Sequence, residues 1–165
     1  MKETSTLPGG PRAKIRRGGA TDVEFIRSVA ERVFSHFGDY GRILPGWLLH
    51  EGVLTHLAEL DDRPLGYTML GFYPVTRGEY VADLLAIAVA PAHQGAGLGR
   101  QLLEHAIAQA RAARRRLPIR EMRLSVADSN ARARRLFVQL GFRLMQGDHG
   151  LYDGGQIALH MSRKL

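Results

Sequence analysis

Two short stretches hold residue types that can do chemistry. In Gln94-Gly-Ala-Gly-Leu-Gly99 three glycines stand within five residues. They let the backbone bend tightly and leave no side chain in the way of a ligand. Where such a turn opens a helix, its backbone N–H groups attract phosphate. The spacing separates it from two well-known phosphate loops. A dinucleotide fingerprint needs G-x-G-x-x-G, and counted from Gly95 the third glycine comes one residue early. A P-loop needs Lys followed by Ser or Thr where Leu98, Gly99 and Arg100 stand. The second stretch is Glu79 to Val89, a long apolar run interrupted by one carboxylate, Asp83. A carboxylate there is costly unless it pairs or works. Asp83 is therefore the first candidate for a proton acceptor, against a salt bridge to one of the many arginines or a place on a solvent-facing edge. Glu79 is the second candidate.

The apolar run, the glycine turn and the helical stripe that follows resemble the GNAT family of N-acetyltransferases. The family's hallmark, Q/R-x-x-G-x-G/A after a strand and at a helix start, matches Gln94, Gly97 and Gly99. The segment Leu124 to Phe142 resembles its second cofactor motif, with Asn130, Ala133, Leu136, Gly141 and Phe142 in register. Together the two motifs cover roughly Glu79 to Phe142. The resemblance implies a GNAT fold and acetyl-CoA as co-substrate. It also implies acetyl transfer to a primary amine of a small molecule, a protein N-terminus or a lysine, by direct attack in a ternary complex.

Residue by residue, the resemblance gives Gln94, Gly95, Ala96, Gly97, Leu98, Gly99 and Arg100 the pyrophosphate, held through backbone amides. It pairs the main chain of Ile87, Ala88 and Val89 with the pantetheine arm and makes the Val89 N–H the oxyanion donor. Asp83 falls where protein-lysine acetyltransferases of the family often carry a glutamate. Asn130 lies beside the cofactor arm, although helix capping explains it equally well. Phe137 stands on the cofactor side where many members have a tyrosine thought to protonate the departing thiolate, and phenylalanine has no proton to give. Tyr73, Tyr80, Tyr152 or water are the alternatives. The departure leaves open an acyl-CoA-binding domain without efficient catalysis.

Acyl transfer needs an unprotonated amine, and a lysine with a reference pKa of ~10.4 asks more of a base than a terminal amine near ~7.7–8. The acceptor is expected on the face built by Phe37 to Trp47 and the loop from Tyr73 to Gly78. Tyr40, Trp47, His36, His50 and His56 are candidates there. No spacing of histidines and carboxylates suggests a metal site, and none is predicted. The runner-up class is a basic nucleic-acid-binding module, supported by Arg132, Arg134 and Arg135 on one helix but lacking a recognition motif.

These groups need a frame. The 165 residues, 45% of them hydrophobic, suffice for one core. Met1 to Arg12 reads as a flexible lead and residues 13–165 as one domain. There is no cysteine and no apolar run of 18 residues, so a soluble, cytoplasmic protein without disulfides is predicted; a homodimer stays open. The +7 charge fits a polyanionic partner, or simply a solvated surface. Strands are predicted near Lys14 to Arg17, Gly52 to Leu60, Leu65 to Tyr73, Glu79 to Val89, Glu121 to Val126, Phe142 to Gly147 and Gln156 to Arg163. Helices are predicted after a capping box at Thr21 to Glu24, at Trp47 to His50, from Leu98 towards Pro118, and over Asn130 to Leu140. The result is an α/β (α+β) fold: one mixed, mostly antiparallel sheet of about seven strands, splayed between strands 4 and 5 and flanked by about four helices.

Overall fold

The computed structural model describes residues 12–165, so nearly all of the lead predicted at Met1 to Arg12 lies outside the described residues. In chain order the elements are β1 (Lys14–Arg17), α1 (Val23–Val33), α2 (Tyr40–Leu48), β2 (Val53–Leu60), β3 (Arg63–Thr76), β4 (Glu79–Val89), α3 (Leu98–Ala113), β5 (Ile119–Ala127), α4 (Ala131–Gln139), β6 (Arg143–Leu144), β7 (Gly150–Leu151) and β8 (Ile157–Lys164). The strands form one sheet in the order β1-β2-β3-β4-β5-β8-β6, and β7 also pairs with β8. Every pair is antiparallel except β4 with β5. α1 and α2 pack on one face, over Leu57, Tyr67 and Met69. α3 and α4 pack on the other, over Leu84, Met122 and Leu124. None of the described helices is long and apolar enough to cross a membrane.

One irregularity shapes the sheet. Met69 of β3 faces Ala86 and Leu70 faces Leu84, which leaves Leu85 as an extra residue on β4. Such a bulge bends a strand and raises its twist. Pairing between β4 and β5 ends beside it, at Leu84 and Leu124, although β4 continues to Val89 and β5 to Ala127. The two parallel strands therefore part, as the predicted splay requires.

Three local expectations are corrected. The capping box at Thr21 and Glu24 is not used. Instead Asp22, only 4% exposed, accepts the Gly19 N–H at 2.9 Å and two bonds from Arg16 at 2.8 and 2.9 Å, while Arg16 also reaches Glu59 at 2.5 Å. Glu24 pairs with Arg27. The Arg16 guanidinium holds the Asp22 carboxyl below the usual carboxylate range, and a buried charge so satisfied outweighs an exposed box. Next, the helix predicted at Trp47 to His50 begins earlier: α2 starts at Tyr40 and contains Gly41 and Pro45. Gly41 is there for close approach: a Cβ on it would lie 2.5 Å from the Glu31 Cγ of α1. Packing overrides propensity here. Finally, the strand predicted over Phe142 to Gly147 shrinks to Arg143–Leu144, and a short β7 appears at Gly150–Leu151.

Beneath α3, His56 of β2 meets His105 at 4.5 Å between ring centroids. Burial, then the neighbouring His105 and Arg17, brings His56 down to about 4, and burial also lowers His105, whose Nε2 has no hydrogen-bond partner. Folding therefore disfavours the cationic form of both rings. A histidine whose folded pKa is depressed takes up its proton more readily when unfolded, so stability falls as pH drops from ~6.5 towards the folded value. Lowering the pH from 7 to 5 should cost roughly 1–2 kcal/mol, allowing for screening at the half-exposed ring. Denaturant melts at the two pH values check this, and His56→Phe should flatten the difference.

Candidate active site at the splay

The parting of β4 and β5 opens a groove between the helix layers. Its inner part, about 100 Å³, runs between Leu84 to Ile87 on one side and Leu124 to Ala127 on the other. An outer part of about 440 Å³ continues past Val89 to the glycine turn. Phe34, Ile87, Asn130, Ala133 and Phe137 line both, so the two form one channel.

The β4 ladder determines which backbone groups face this channel. Ala90 donates its N–H to Leu65 across the β3 side at 2.8 Å, and Ala88 pairs with Tyr67 in the same phase. In an antiparallel ladder alternate residues point their N–H and C=O to opposite sides. The backbone groups of Ile87 and Val89 therefore point away from β3, into the gap where β5 has left. Ala88, which the resemblance grouped with them, points its backbone back to β3. The Val89 carbonyl already has a partner, the Gln94 side-chain N–H at 3.0 Å. Gln94 thus clips the turn to the strand end rather than presenting its amide to a ligand.

At the turn Gly95 and Gly97 have φ of +86° and +85°, and Gly97 is the N-terminal cap of α3. A side chain at either position would be strained. The first N–H groups of α3 open onto the channel at Gly97, Leu98, Gly99 and Arg100. Arg100 itself is turned along the helix, to Glu104 at 3.3 Å and Gln139 at 3.1 Å. The arginine that overhangs the turn is Arg132 of α4, whose Nη2 would lie 3.3 Å from a Cβ on Gly95. In the sequence it stood out only as part of a basic helix. Asn130 caps α4, accepting the Ala133 N–H at 3.2 Å, and still borders the channel. Phe137 is a channel wall held edge-on by Phe142, with centroids 6.0 Å apart.

Asp83 lies on the sheet face that carries α1 and α2, one residue outside the channel wall, and accepts the Tyr73 hydroxyl at 3.3 Å. Its register partner Arg123 pairs instead with Glu121 at 2.5 Å. Burial raises the Asp83 carboxyl above its ordinary value, against the opposing pull of Tyr73, Arg123 and His160. Glu79, at the opposite end of β4, pairs with Arg120 at 2.9 Å and does not reach the channel. Of the tyrosines, Tyr80 packs under α3. Tyr152 faces the inner channel opposite Phe137, its hydroxyl pushed up to about 12 by burial, then by Tyr40.

The wall where the acceptor was expected combines distant segments. Phe37 packs on Tyr152 with centroids 4.9 Å apart, the Gly154 N–H donates to the Phe37 carbonyl at 3.1 Å, and the Gln156 amide donates to the His36 carbonyl at 2.8 Å. Phe37 and Tyr40 line the inner channel, whereas Trp47 sits in the α1–α2 core, His50 folds onto the Gly52 N–H, and His56 lies beneath α3. Sequence reasoning missed Ser125, His149 and His160. Ser125 borders the inner channel, and its hydroxyl lies 3.0 Å from His160 Nδ1. Strand alternation hints that both point off the core, but only the β5–β8 register, which pairs them, brings them together.

With this geometry in view, comparison with known proteins identifies the chain. The model of the acetyltransferase (GNAT) family matches residues 23–142, and the protein belongs to that family. N-alpha-acetyltransferase 40 of Saccharomyces cerevisiae is 38% identical over 91 residues, 48% of this chain. The match spans about a third, 32%, of that relative's length. The ribosomal-protein-S18-alanine N-acetyltransferase of Escherichia coli is 26% identical, with a TM-score of 0.71 and 92% of each chain covered. The yncA protein of Salmonella typhimurium, solved with its cofactor acetyl-CoA, shares the fold at a TM-score of 0.75 and 23% identity, over 94% of this chain and 95% of that one.

The position of Asp83 carries a thermodynamic signature. A carboxyl whose folded pKa is raised binds its proton more tightly when folded, so its contribution is most favourable at low pH and is lost as pH rises through the folded value. Asp83→Asn keeps the Tyr73 contact and removes the buried charge. It should melt higher than wild type at pH 7 and level with it near the ordinary carboxylate pKa of ~3.9. Scanning calorimetry at both pH values reads the difference.

Proposed function

We propose that the protein is an acetyl-CoA-dependent N-acetyltransferase that moves the acetyl group to a primary amine by direct attack in a ternary complex. The observation that carries this reading is the single channel joining the left-handed glycine turn to the open edge of β4. A phosphate-bearing end fits the turn, where the α3 N–H groups and Arg132 supply positive potential. The amide-bearing arm fits the edge, where Ile87 and Val89 turn their backbone groups to the gap. Val89 stands next to the turn and Ile87 one ladder step further in. Either N–H can serve the thioester carbonyl as oxyanion donor, the role the sequence gave to Val89 alone.

Acyl transfer then needs an unprotonated amine, and Asp83, behind the channel wall, can draw the proton only through an intervening group or water. That arrangement suits an α-amine better than a lysine, since the α-amine sheds its proton near neutral pH. The names of the yeast and Escherichia coli relatives, both terminal-amine acetyltransferases, point the same way. The leaving thiolate meets Tyr152 where Phe137 cannot help. A phenol at about 12 is a weak acid beside a thiol near ~8.5, so Tyr152 acts mainly as a hydrogen-bond donor to the developing charge.

Thiol release from acetyl-CoA tests the proposal, with peptides bearing a free N-terminal alanine, N-blocked lysine peptides, polyamines and amino acids as acceptors. Turnover is expected, highest with free N-terminal peptides. Saturating acetyl-CoA, at 100 times its Kd, should stabilise the fold by about 2.7 kcal/mol, and Gly97→Val should abolish that shift. Stabilisation without thiol release would select the alternative that Phe137 favours, an acyl-CoA-binding domain of low activity.

A further inference from the structure

Among the described residues that line the inner channel, Ser125 is the hydroxyl paired with an imidazole, and it, rather than the Asp83 carboxylate, can take a proton from an incoming amine. Ser125 borders the channel beside Leu124 and Val126, opposite the part of β4 that follows the bulge. A serine hydroxyl is a poor base alone. Here its oxygen lies 3.0 Å from His160 Nδ1, across the β5–β8 ladder where the two residues are register partners. His149 lies behind the pair: its Nδ1 accepts the His160 backbone N–H at 2.9 Å, and the two rings lie 5.7 Å apart. That bond places the His149 proton on Nε2. The charged and titratable groups around the pair are Asp83 from β4, with Tyr73 of β3 bonded to it, and Arg123 from β5, which is paired with Glu121.

We infer that Ser125 and His160 form a proton relay for the acceptor amine, resting on the acetyltransferase reading above. With the His160 proton on Nε2, Nδ1 accepts the Ser125 hydroxyl. As the amine nitrogen bonds to the thioester carbon, its N–H proton passes to Ser125 Oγ while the original Oγ proton passes to His160 Nδ1. Collapse of the tetrahedral species breaks the carbon–sulfur bond. The thiolate leaves with a hydrogen bond from Tyr152 and takes its proton from solvent, to which His160 returns the one it received. The sum is amine plus acetyl-CoA giving amide plus coenzyme A. Asp83, held by the Tyr73 hydroxyl at 3.3 Å on the neighbouring strand, then acts as a positioning residue.

The experiment is steady-state thiol release with the best amine from the panel above, and with water alone as a second acceptor, for wild type, Ser125→Ala, His160→Gln, their double variant and Ser125→Thr. Each alanine or glutamine variant should lose roughly 100-fold in kcat. The double should be no slower than the worse single, because both remove one relay. KM for acetyl-CoA, and the melting shift acetyl-CoA induces, should stay at wild-type values, and Ser125→Thr should restore most of the rate. The relay is overturned if either single variant keeps kcat within about threefold, or if its defect lies only in KM for the amine. It is also overturned if wild type binds acetyl-CoA yet releases thiol to neither amine nor water. If wild type does not bind acetyl-CoA at all, the acetyltransferase reading itself fails.

Discussion

One extra residue in one strand determines the rest of this molecule. Leu85 has no partner on β3, and a strand that carries an unmatched residue must bend. The bend falls where β4 and β5, the one parallel pair, would otherwise continue side by side. Their separation has two results. It opens a channel through a sheet that would otherwise be closed, and it leaves the Ile87 backbone and the Val89 N–H with hydrogen-bonding capacity and no strand to use it. A buried backbone group without a partner is costly, so that edge calls for an amide-bearing guest.

The charge distribution has the same logic. The carboxylates near the N-terminal strand are tied up: Asp22 and Glu59 both bind Arg16. Asp83, just outside the channel wall, accepts the Tyr73 hydroxyl and has no direct ion pair, since Arg123 is paired with Glu121. At the channel's outer end the positive groups are an arginine from α4 and the start of α3, with Arg100 spent on Glu104 and Gln139. The surplus of basic residues is therefore not spread evenly over the mechanism. Much of it is on solvated surface, as the sequence allowed.

What could be read in the sequence was local. β4 and the glycine turn with α3 were legible because their signals lie in one unbroken stretch, Glu79 to Ala113. α4 was equally clear, with Asn130 at its start and the left-handed Gly141 at its end, φ +90°. What could not be read was set by tertiary contact. The start of α2 at Tyr40 rather than Trp47 depends on Gly41, whose lack of a side chain serves the approach of α1. The bulge at Leu85 depends on the register with β3, which no single strand's composition reveals. Asp83 was found as an anomaly in an apolar run. Ser125 and His160 are anomalies in nothing: each is an ordinary outward residue of an alternating strand, and they are 35 positions apart.

The clasp between His36 or Phe37 and the loop at Gly154 and Gln156 bears on how the molecule comes together. Gln156 and His36 are 120 positions apart. The channel's cofactor side, by contrast, is built from β4 to α4, a contiguous stretch. Contacts of long sequence separation form late, because the chain must give up loop entropy before they repay it. During synthesis the half of the site that faces the glycine turn can thus assemble while the acceptor wall is still missing its second side. Until β8 has docked, the groove is open to water along its length, and any ligand held at the glycine turn at that stage would face solvent instead of a second wall.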